Sequence, residues 1–246
     1  MDFEAYTLVS NEKVCEDITI LTFDRKIGVQ AGEFVYAWIP GLGEKPFSAL
    51  TDDPFALVVI DVGIFTNELL KCQPGSKVYV RGPHGVKVAP PKNSKIVAVA
   101  GGTGLAAVYQ IARDFGNAEV FLGARTSDRL YFKDECAAIA STHIATDDGS
   151  EGFYGVVTAL LDDWLKVKSE DELQELVFYN CGPASMVHAA IEVQRRYVSD
   201  DRISAEFTSF PRFGFVLCRS LIHFSSPRRP LPSSFAASSL KKKKIN

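Results

Sequence analysis

The glycines and cysteines of the second half of the chain carry its most informative chemistry. Gly101-Gly102-Thr103-Gly104-Leu105-Ala106-Ala107 stands between an apolar run and a helical pattern, and Gly102-x-Gly104-x-x-Ala107 fits a dinucleotide-binding turn. Glycines there permit a sharp turn and bring backbone N–H groups close to a pyrophosphate, which a helix N-terminus favours electrostatically. The next apolar run ends in Gly123-Ala124-Arg125, with Asp128 and Arg129 beyond it. No acidic residue closes that run to accept from a ribose 2′-hydroxyl. Arg125 and Arg129 either meet a 2′-phosphate or solvate a loop, so the choice between NADH and NADPH stays open. Cys181-Gly182-Pro183 ends a third apolar run and places a thiol where a sheet presents ligands, as either a buried core residue or a site residue. In the first half, Lys45-Pro46-Phe47-Ser48 joins a cation, an aromatic ring and a hydroxyl at the expected start of a strand. Gly63-Ile64-Phe65-Thr66 opens a helical stretch with N–H and hydroxyl donors suited to a phosphate.

The elements that must hold these residues follow from the pattern. Tyr6–Val9, Ile18–Phe23, Phe34–Ile39, Ala56–Ile60 and Lys77–Val80 are short runs rich in β-branched and aromatic residues. Turn signals separate them, among them Pro40-Gly41-Leu42-Gly43, Pro74-Gly75-Ser76 and Gly82-Pro83-His84-Gly85. One stretch, Thr66–Cys72, reads as helix. This spacing predicts a small antiparallel β-barrel over residues 1–91. After Pro90-Pro91 the pattern becomes alternating: Lys95–Ala100, Ala118–Leu122, Thr142–Ala145 and Leu176–Asn180 read as strands. Helices are expected over 105–115, 133–140, 156–165 and 184–198. That alternation predicts an α/β unit with a parallel sheet over residues 92–206.

Composition narrows the function classes. The 246 residues carry a net charge of −3. Residues 1–206 hold 19 Lys and Arg against 30 Asp and Glu, whereas residues 207–246 hold 8 basic residues and no acid. An acidic body argues against nucleic acid as the main partner. The basic tail, rich in serine and phenylalanine, is expected to pack poorly against the body. No apolar run is long enough for a membrane span. Met1-Asp2-Phe3-Glu4 lacks the basic start of a secretory signal. The five scattered cysteines fit neither a disulfide scaffold nor a zinc knuckle. A cytoplasmic location is the expectation.

The ordered set K-P-F-S, G-x-F-T, G-P-H-G, G-G-T-G-L-A, G-A-R, T-D-D-G-S-x-G and C-G-P-x-x-M over residues 1–206 resembles the ferredoxin–NADP⁺ reductase superfamily. Within it the chain is most similar to the electron-transfer subunits of dihydroorotate dehydrogenase, with sulfhydrogenase and NAD(P)H:ferredoxin oxidoreductase subunits as relatives. The resemblance implies a barrel that binds FAD (FMN as the lesser option) and a domain that binds NAD(P)H. It puts the flavin-holding strand on Lys45, Pro46, Phe47 and Ser48. It puts the approach to the phosphate turn on Ile60, Asp61 and Val62, and the turn itself on Phe65 and Thr66. Gly101, Gly102, Thr103 and Gly104, with Arg125, fall on the NAD(P)H side. Cys181 and Gly182 fall on the nicotinamide side, with Met186 behind them. Tyr36 and Phe47 are candidates for contact with the flavin ring, and Gly104 is expected to clear space for the pyrophosphate.

Two departures stand out. Lys45 replaces an arginine and offers a point charge instead of a two-pronged phosphate contact. Members of the family close with a [2Fe–2S] site of four cysteines, but here Phe213-Gly214-Phe215-Val216-Leu217-Cys218-Arg219-Ser220-Leu221 keeps only Cys218. No metal site is therefore expected. Either the cluster has been lost or the tail stems from an altered reading of the gene. The resemblance implies electron transfer from NAD(P)H through flavin to a partner, a dihydroorotate dehydrogenase catalytic subunit in pyrimidine synthesis or another redox protein. The alternatives are a stand-alone NAD(P)H:flavin or ferredoxin reductase and a non-catalytic assembly subunit.

Overall fold

The structure, a computed structural model, describes residues 2–207 and 222–223. The first seven strands are β1 (Glu4–Lys13), β2 (Ile18–Phe23), β3 (Glu33–Ile39), β4 (Gly43–Phe47), β5 (Ala49–Asp52), β6 (Phe55–Ile60) and β7 (Lys77–Gly85), with helix α1 (Ile64–Leu70) before the last. They form one antiparallel sheet in the order β4-β3-β7-β1-β2-β6-β5. Its two edge strands, β4 and β5, are consecutive and separated by Ser48 alone, so the chain draws the sheet's edges together into a barrel. Alternation positions the core: Tyr6 and Leu8 of β1 are buried while Ala5 and Val9 are exposed. Inside, Tyr6, Phe23 and Phe55 pack ring against ring at 4.9–6.3 Å.

The second half runs β8 (Lys95–Gly101), α2 (Gly104–Phe115), β9 (Ala118–Ala124), α3 (Lys133–Ile139), β10 (Ser141–Thr146), β11 (Phe153–Tyr154), α4 (Val157–Lys166), α5 (Glu170–Glu175), β12 (Leu176–Gly182), α6 (Ala184–Gln194), β13 (Ile203–Phe207) and β14 (Ile222–His223). The sheet order is β11-β10-β9-β8-β12-β13-β14, with every neighbouring pair parallel except β13 and β14. All of β12, and all of β8 beyond Lys95, are buried, as strands covered on both faces must be. The chain leaves β8 for β9 and β10 on one side, then returns to β12 on the other. The carboxyl ends of β8 and β12 therefore flank the switch point, where ligands bind in open α/β sheets.

Several local expectations change. Lys45-Pro46-Phe47 ends β4 instead of beginning a strand, and Ser48 forms the link to β5. Gly82-Pro83-His84-Gly85 is not a turn but the end of β7, paired with Glu33 and Phe34 of β3. Helix α1 starts at Ile64, two residues before Thr66. Helix α5 was not expected, although Ser169 and Glu172 spell its capping box. The Glu172 N–H donates to the Ser169 hydroxyl at 3.3 Å, and the Ser169 N–H donates to the Glu172 carboxylate at 2.8 Å. Within the segment expected to pack poorly, Phe207 completes β13 and Ile222–His223 pair with it. The open backbone edge of β13 supplies the hydrogen bonds. Cys218 and the rest of that segment lie outside the described residues. Among those residues no helix is long and apolar enough to cross a membrane.

Helix α2 joins the two sheets. Ile18, Leu50 and Val58 of the barrel share one apolar cluster with Val108 and Ile111 of α2 and Ala98 of the second sheet. Two polar contacts from the same helix tie it down. The Asp114 carboxylate accepts from the Ala31 N–H at 2.9 Å, and the buried Gln110 amide donates to the Ala49 carbonyl.

Candidate functional site

The glycine turn caps β8 and opens α2. Three of its features have different physical origins. Gly102 has a φ of +54°, a left-handed conformation, and a Cβ built on it meets nothing within 4 Å. Gly101 is hemmed in by Met186, whose Sδ would lie 2.6 Å from a Cβ. Gly104 is closed off altogether, because its Cβ would lie 2.0 Å from the Cys181 carbonyl oxygen and 2.8 Å from the Gly182 nitrogen. The expectation that Gly104 clears space for a pyrophosphate is therefore corrected. Its missing side chain lets α2 pack onto the end of β12, and Gly102 is the glycine with open space before it. The turn's own hydrogen bonds begin at Leu105 and Ala106, whose N–H groups donate to the carbonyls of Gly102 and Thr103 at 3.2 Å. The N–H groups ahead of them are outside that ladder, the usual state of a helix N-terminus and the reason such ends favour anions.

A depression of about 220 Å³ lies at this turn, lined by Gly101, Gly102, Leu122, Gly123, Arg129 and Tyr131. The two arginines separate here. Arg125 is exposed just past β9, and its carbonyl accepts from the Asp148 N–H at 3.2 Å. Arg129 lines the depression, but its guanidinium is bound to Asp17 at 3.2 Å and Glu16 at 3.1 Å, both between β1 and β2. It ties the second sheet to the barrel. The hydrogen bond that the Arg129 guanidinium donates to Asp17, with the negative charge of that carboxylate, shifts its pKa further upward.

A second depression, of about 270 Å³, opens on the other side of α2. It is lined by Gly32 of the barrel and by Ala107, Val108, Asn180, Cys181 and Glu206. Cys181 is buried and pairs in register with Glu206 across β12 and β13. The Ser48 hydroxyl, in the link between β4 and β5, donates to the Glu206 carboxylate over 3.5 Å. The barrel residue Ser48 and the sheet residues Cys181 and Glu206 thus converge, although they are far apart in sequence. Asn180 fixes that edge through a buried reciprocal pair with Gln194 at 2.9 and 2.7 Å and a bond to the Ser204 carbonyl at 3.1 Å. Glu206 was missed in the sequence because it is one acid among thirty. Its only signal is its place at the end of a short apolar run.

The remaining barrel residues are not all brought together. Lys45 is half-buried on β4, and among the described residues it forms no ion pair. Pro46 sits across from Tyr36, and Phe47 across from Val35. Phe47 therefore turns into the barrel core, where its ring meets Phe65 at 6.2 Å. Tyr36 turns to the opposite face, beneath the Arg81 guanidinium at 4.3 Å. The two rings lie on opposite faces of one strand pair. Ile60 is half-buried at the end of β6, while Asp61 and Val62 are exposed. The Thr66 hydroxyl is occupied by its own helix start. It donates to the Gly63 carbonyl at 3.0 Å and accepts from the N–H groups of Val62 and Gly63 at 3.1 Å. The described residues contain no group of three or more His, Cys, Asp or Glu placed to hold a metal ion.

A barrel packed on a parallel sheet, with a glycine turn at the switch point, defines a class: oxidoreductases of the ferredoxin reductase-like fold. Residues 98–192 match the oxidoreductase NAD-binding domain. A ferredoxin NADP⁺ reductase from Neisseria gonorrhoeae, solved with bound FAD and NADP, superposes with a TM-score of 0.70 at 17% identity, over 84% of this chain and 99% of that one. A chain of an NADH-dependent reduced ferredoxin-NADP oxidoreductase structure gives 0.71 at 25% identity, over 85% of this chain and 78% of that one. A probable dihydroorotate dehydrogenase B (NAD(+)) electron transfer subunit from Methanocaldococcus jannaschii is 32% identical over 213 residues, 84% of this chain and 79% of that protein. Its counterpart from Thermococcus kodakarensis is 32% identical over 222 residues, 87% and 89% of the two chains. The chain belongs to this family of dihydroorotate dehydrogenase B electron transfer subunits.

Proposed function

We propose that the protein takes a hydride from NAD(P)H onto a barrel-held FAD and passes the electrons to a dihydroorotate dehydrogenase catalytic subunit. The observation that carries this reading is the meeting of Ser48 with Glu206 and Cys181, where the barrel abuts the switch point of the parallel sheet. The residues present fit both groups. Lys45, which forms no ion pair among the described residues, supplies a charge for a flavin phosphate. The open side of Gly102, next to N–H groups outside the turn's own ladder, suits a pyrophosphate. When bound, flavin and nicotinamide supply the hydride and electron chemistry. The protein's part is orientation. Gln110 and Asp114 fix the barrel to α2, so a donor seated at the turn and an acceptor seated at Ser48 keep a constant separation. The Glu206 carboxylate holds the Ser48 hydroxyl in place at the meeting point. Cys181 offers a small, polarisable surface beside it.

A stand-alone NAD(P)H:flavin or ferredoxin reductase is the second reading. It is favoured by one observation: Phe213 and Leu221 stand where the resembled cluster loop has cysteines, so that loop keeps Cys218 alone. One experiment tests the flavin step common to both. Protein reconstituted with FAD should retain it through gel filtration and be bleached anaerobically by NADH. Failure to retain FAD would sink both readings. Reoxidation of the bleached protein by a dihydroorotate dehydrogenase catalytic subunit, but not by free ferredoxin, would select the first.

A further inference from the structure

We propose that Tyr131 is the positioning residue of the dinucleotide turn, its hydroxyl holding Gly102 in the left-handed conformation that leaves the turn open to a pyrophosphate. This rests on the reading of the turn as the dinucleotide site. The Tyr131 hydroxyl donates to the Gly102 carbonyl at 3.1 Å, and the Leu105 N–H donates to the same oxygen at 3.2 Å. A carbonyl has two lone pairs, so Gly102 is fully satisfied only with both donors present. Packing fixes Gly101 through Met186 and Gly104 through Cys181, but nothing lies within 4 Å on the Cβ side of Gly102. The middle of the turn therefore depends on hydrogen bonds.

Tyr131 is suited to that task. It is 5% exposed and lines the depression with Gly101 and Gly102. Burial pushes its phenol well above the usual range, and the thiols of Cys181, Cys15 and Cys136 act in the same direction, so it remains a donor. Thiols are weak acceptors, which makes the Gly102 carbonyl its best partner. The segment that carries it is anchored at two points just ahead of the ring. Arg129 is bound to Asp17 and Glu16, and the Ser127 N–H donates to the Ser150 hydroxyl at 2.8 Å. The ring is thus presented to the turn from a fixed base.

The test is Tyr131→Phe in the full chain with FAD bound. NADH oxidation is measured with ferricyanide as acceptor, and ADP-ribose, which carries the pyrophosphate but no nicotinamide, is used as the competing probe. Loss of one hydrogen bond from a preorganised turn should raise the KM for NADH and the inhibition constant of ADP-ribose together, by roughly three- to tenfold. The kcat, FAD content and melting temperature should stay close to the parent values. Unchanged KM and inhibition constant would overturn the proposal and leave Tyr131 a space-filling core residue. A fall in kcat with KM unchanged would also overturn it, because it would place the effect at hydride transfer. An unaltered chain that holds FAD but neither oxidises NADH nor binds ADP-ribose would instead overturn the reading of the turn itself.

Discussion

Gly104→Ala should weaken the fold before it touches the chemistry. A single methyl group there would stand 2.0 Å from the Cys181 carbonyl oxygen, 2.3 Å from its carbon and 2.8 Å from the Gly182 nitrogen. All three atoms are backbone at the carboxyl end of the buried strand β12, so no flexible side chain can yield. Helix α2 must lift away from β12, disturbing the apolar cluster shared by both sheets. Overpacking of this kind costs about 1–3 kcal/mol or more. The gain in helix propensity from Gly to Ala, about 1 kcal/mol, offsets only part of it. A net loss of about 2 kcal/mol lowers Tm by roughly 4–8 °C in a chain of this size. Gly102→Ala is the control, since its Cβ meets open space and its φ of +54° costs about 1–2 kcal/mol of backbone strain. Thermal unfolding and NADH kinetics on the two variants separate the roles. Gly104→Ala should show the larger drop in Tm, while Gly102→Ala should raise the KM for NADH at a smaller structural cost. A Gly104→Ala protein as stable as its parent would refute the assignment of this glycine to helix–strand packing.

Lys45→Ala should reduce the FAD retained per chain after gel filtration, read from the flavin absorbance, and Lys45→Arg should increase it by supplying a second phosphate contact. Arg125→Ala should weaken NADPH more than NADH if Arg125 meets a 2′-phosphate, and equal losses with both nucleotides would remove that role. Glu44 accepts from Arg81 at 2.7 and 2.8 Å, and this hydrogen bonding holds its carboxyl below the usual range. Because the folded-state value lies below the unfolded one, the pair's contribution is present above about pH 4.3 and is lost as pH falls through the folded value. Urea titrations from pH 6 to pH 3 should therefore show a shallower acid-side decline for Glu44→Gln than for the parent. Iron and acid-labile sulfide should fall far below one cluster per chain after anaerobic purification, since Cys218 alone cannot hold a [2Fe–2S] centre. A rhombic EPR signal near one spin per chain in the dithionite-reduced protein would show that expectation wrong.

Most of the architecture was legible in the sequence because it rests on periodicity. Two-residue alternation in β1 and continuous burial in β8 and β12 write the barrel and the parallel sheet directly into residue types. The glycine turn was legible for the same reason, being a local run between a strand and a helix. What a glycine is for was not legible. Gly102 and Gly104 look alike in the motif, yet one faces open space and the other faces the backbone of a strand about eighty residues further on. Phe47 and Tyr36 likewise seemed alike as aromatic candidates. Only the β3–β4 register, with Tyr36 opposite Pro46, shows that they face opposite ways. Arg129, left open with Arg125 between a 2′-phosphate and a solvated loop, is held by carboxylates more than a hundred residues earlier in the chain. Glu206 and Tyr131 share this cause, because each acquires meaning from a partner that no local window contains.

Two of the long-range contacts that escaped the sequence fall on one element. Helix α2 begins at the glycine turn, and its buried middle presents Gln110 to the Ala49 carbonyl, one residue beyond Ser48. Its last turn presents Asp114 to the Ala31 N–H, next to the Gly32 that lines the second depression. One rigid helix of twelve residues thus fixes the turn, the barrel link that carries Ser48 and the loop beside Gly32 relative to one another. Hydride transfer is steeply sensitive to the separation of donor and acceptor. A brace of this kind keeps two separately folded sheets at one distance, whereas sheets joined only by the Pro90-Pro91 link would be free to drift. It also explains why the packing of Gly104 onto β12 and the hold of Tyr131 on Gly102 occur at the same end of the helix. There the brace must be fixed to its own sheet before it can position the other.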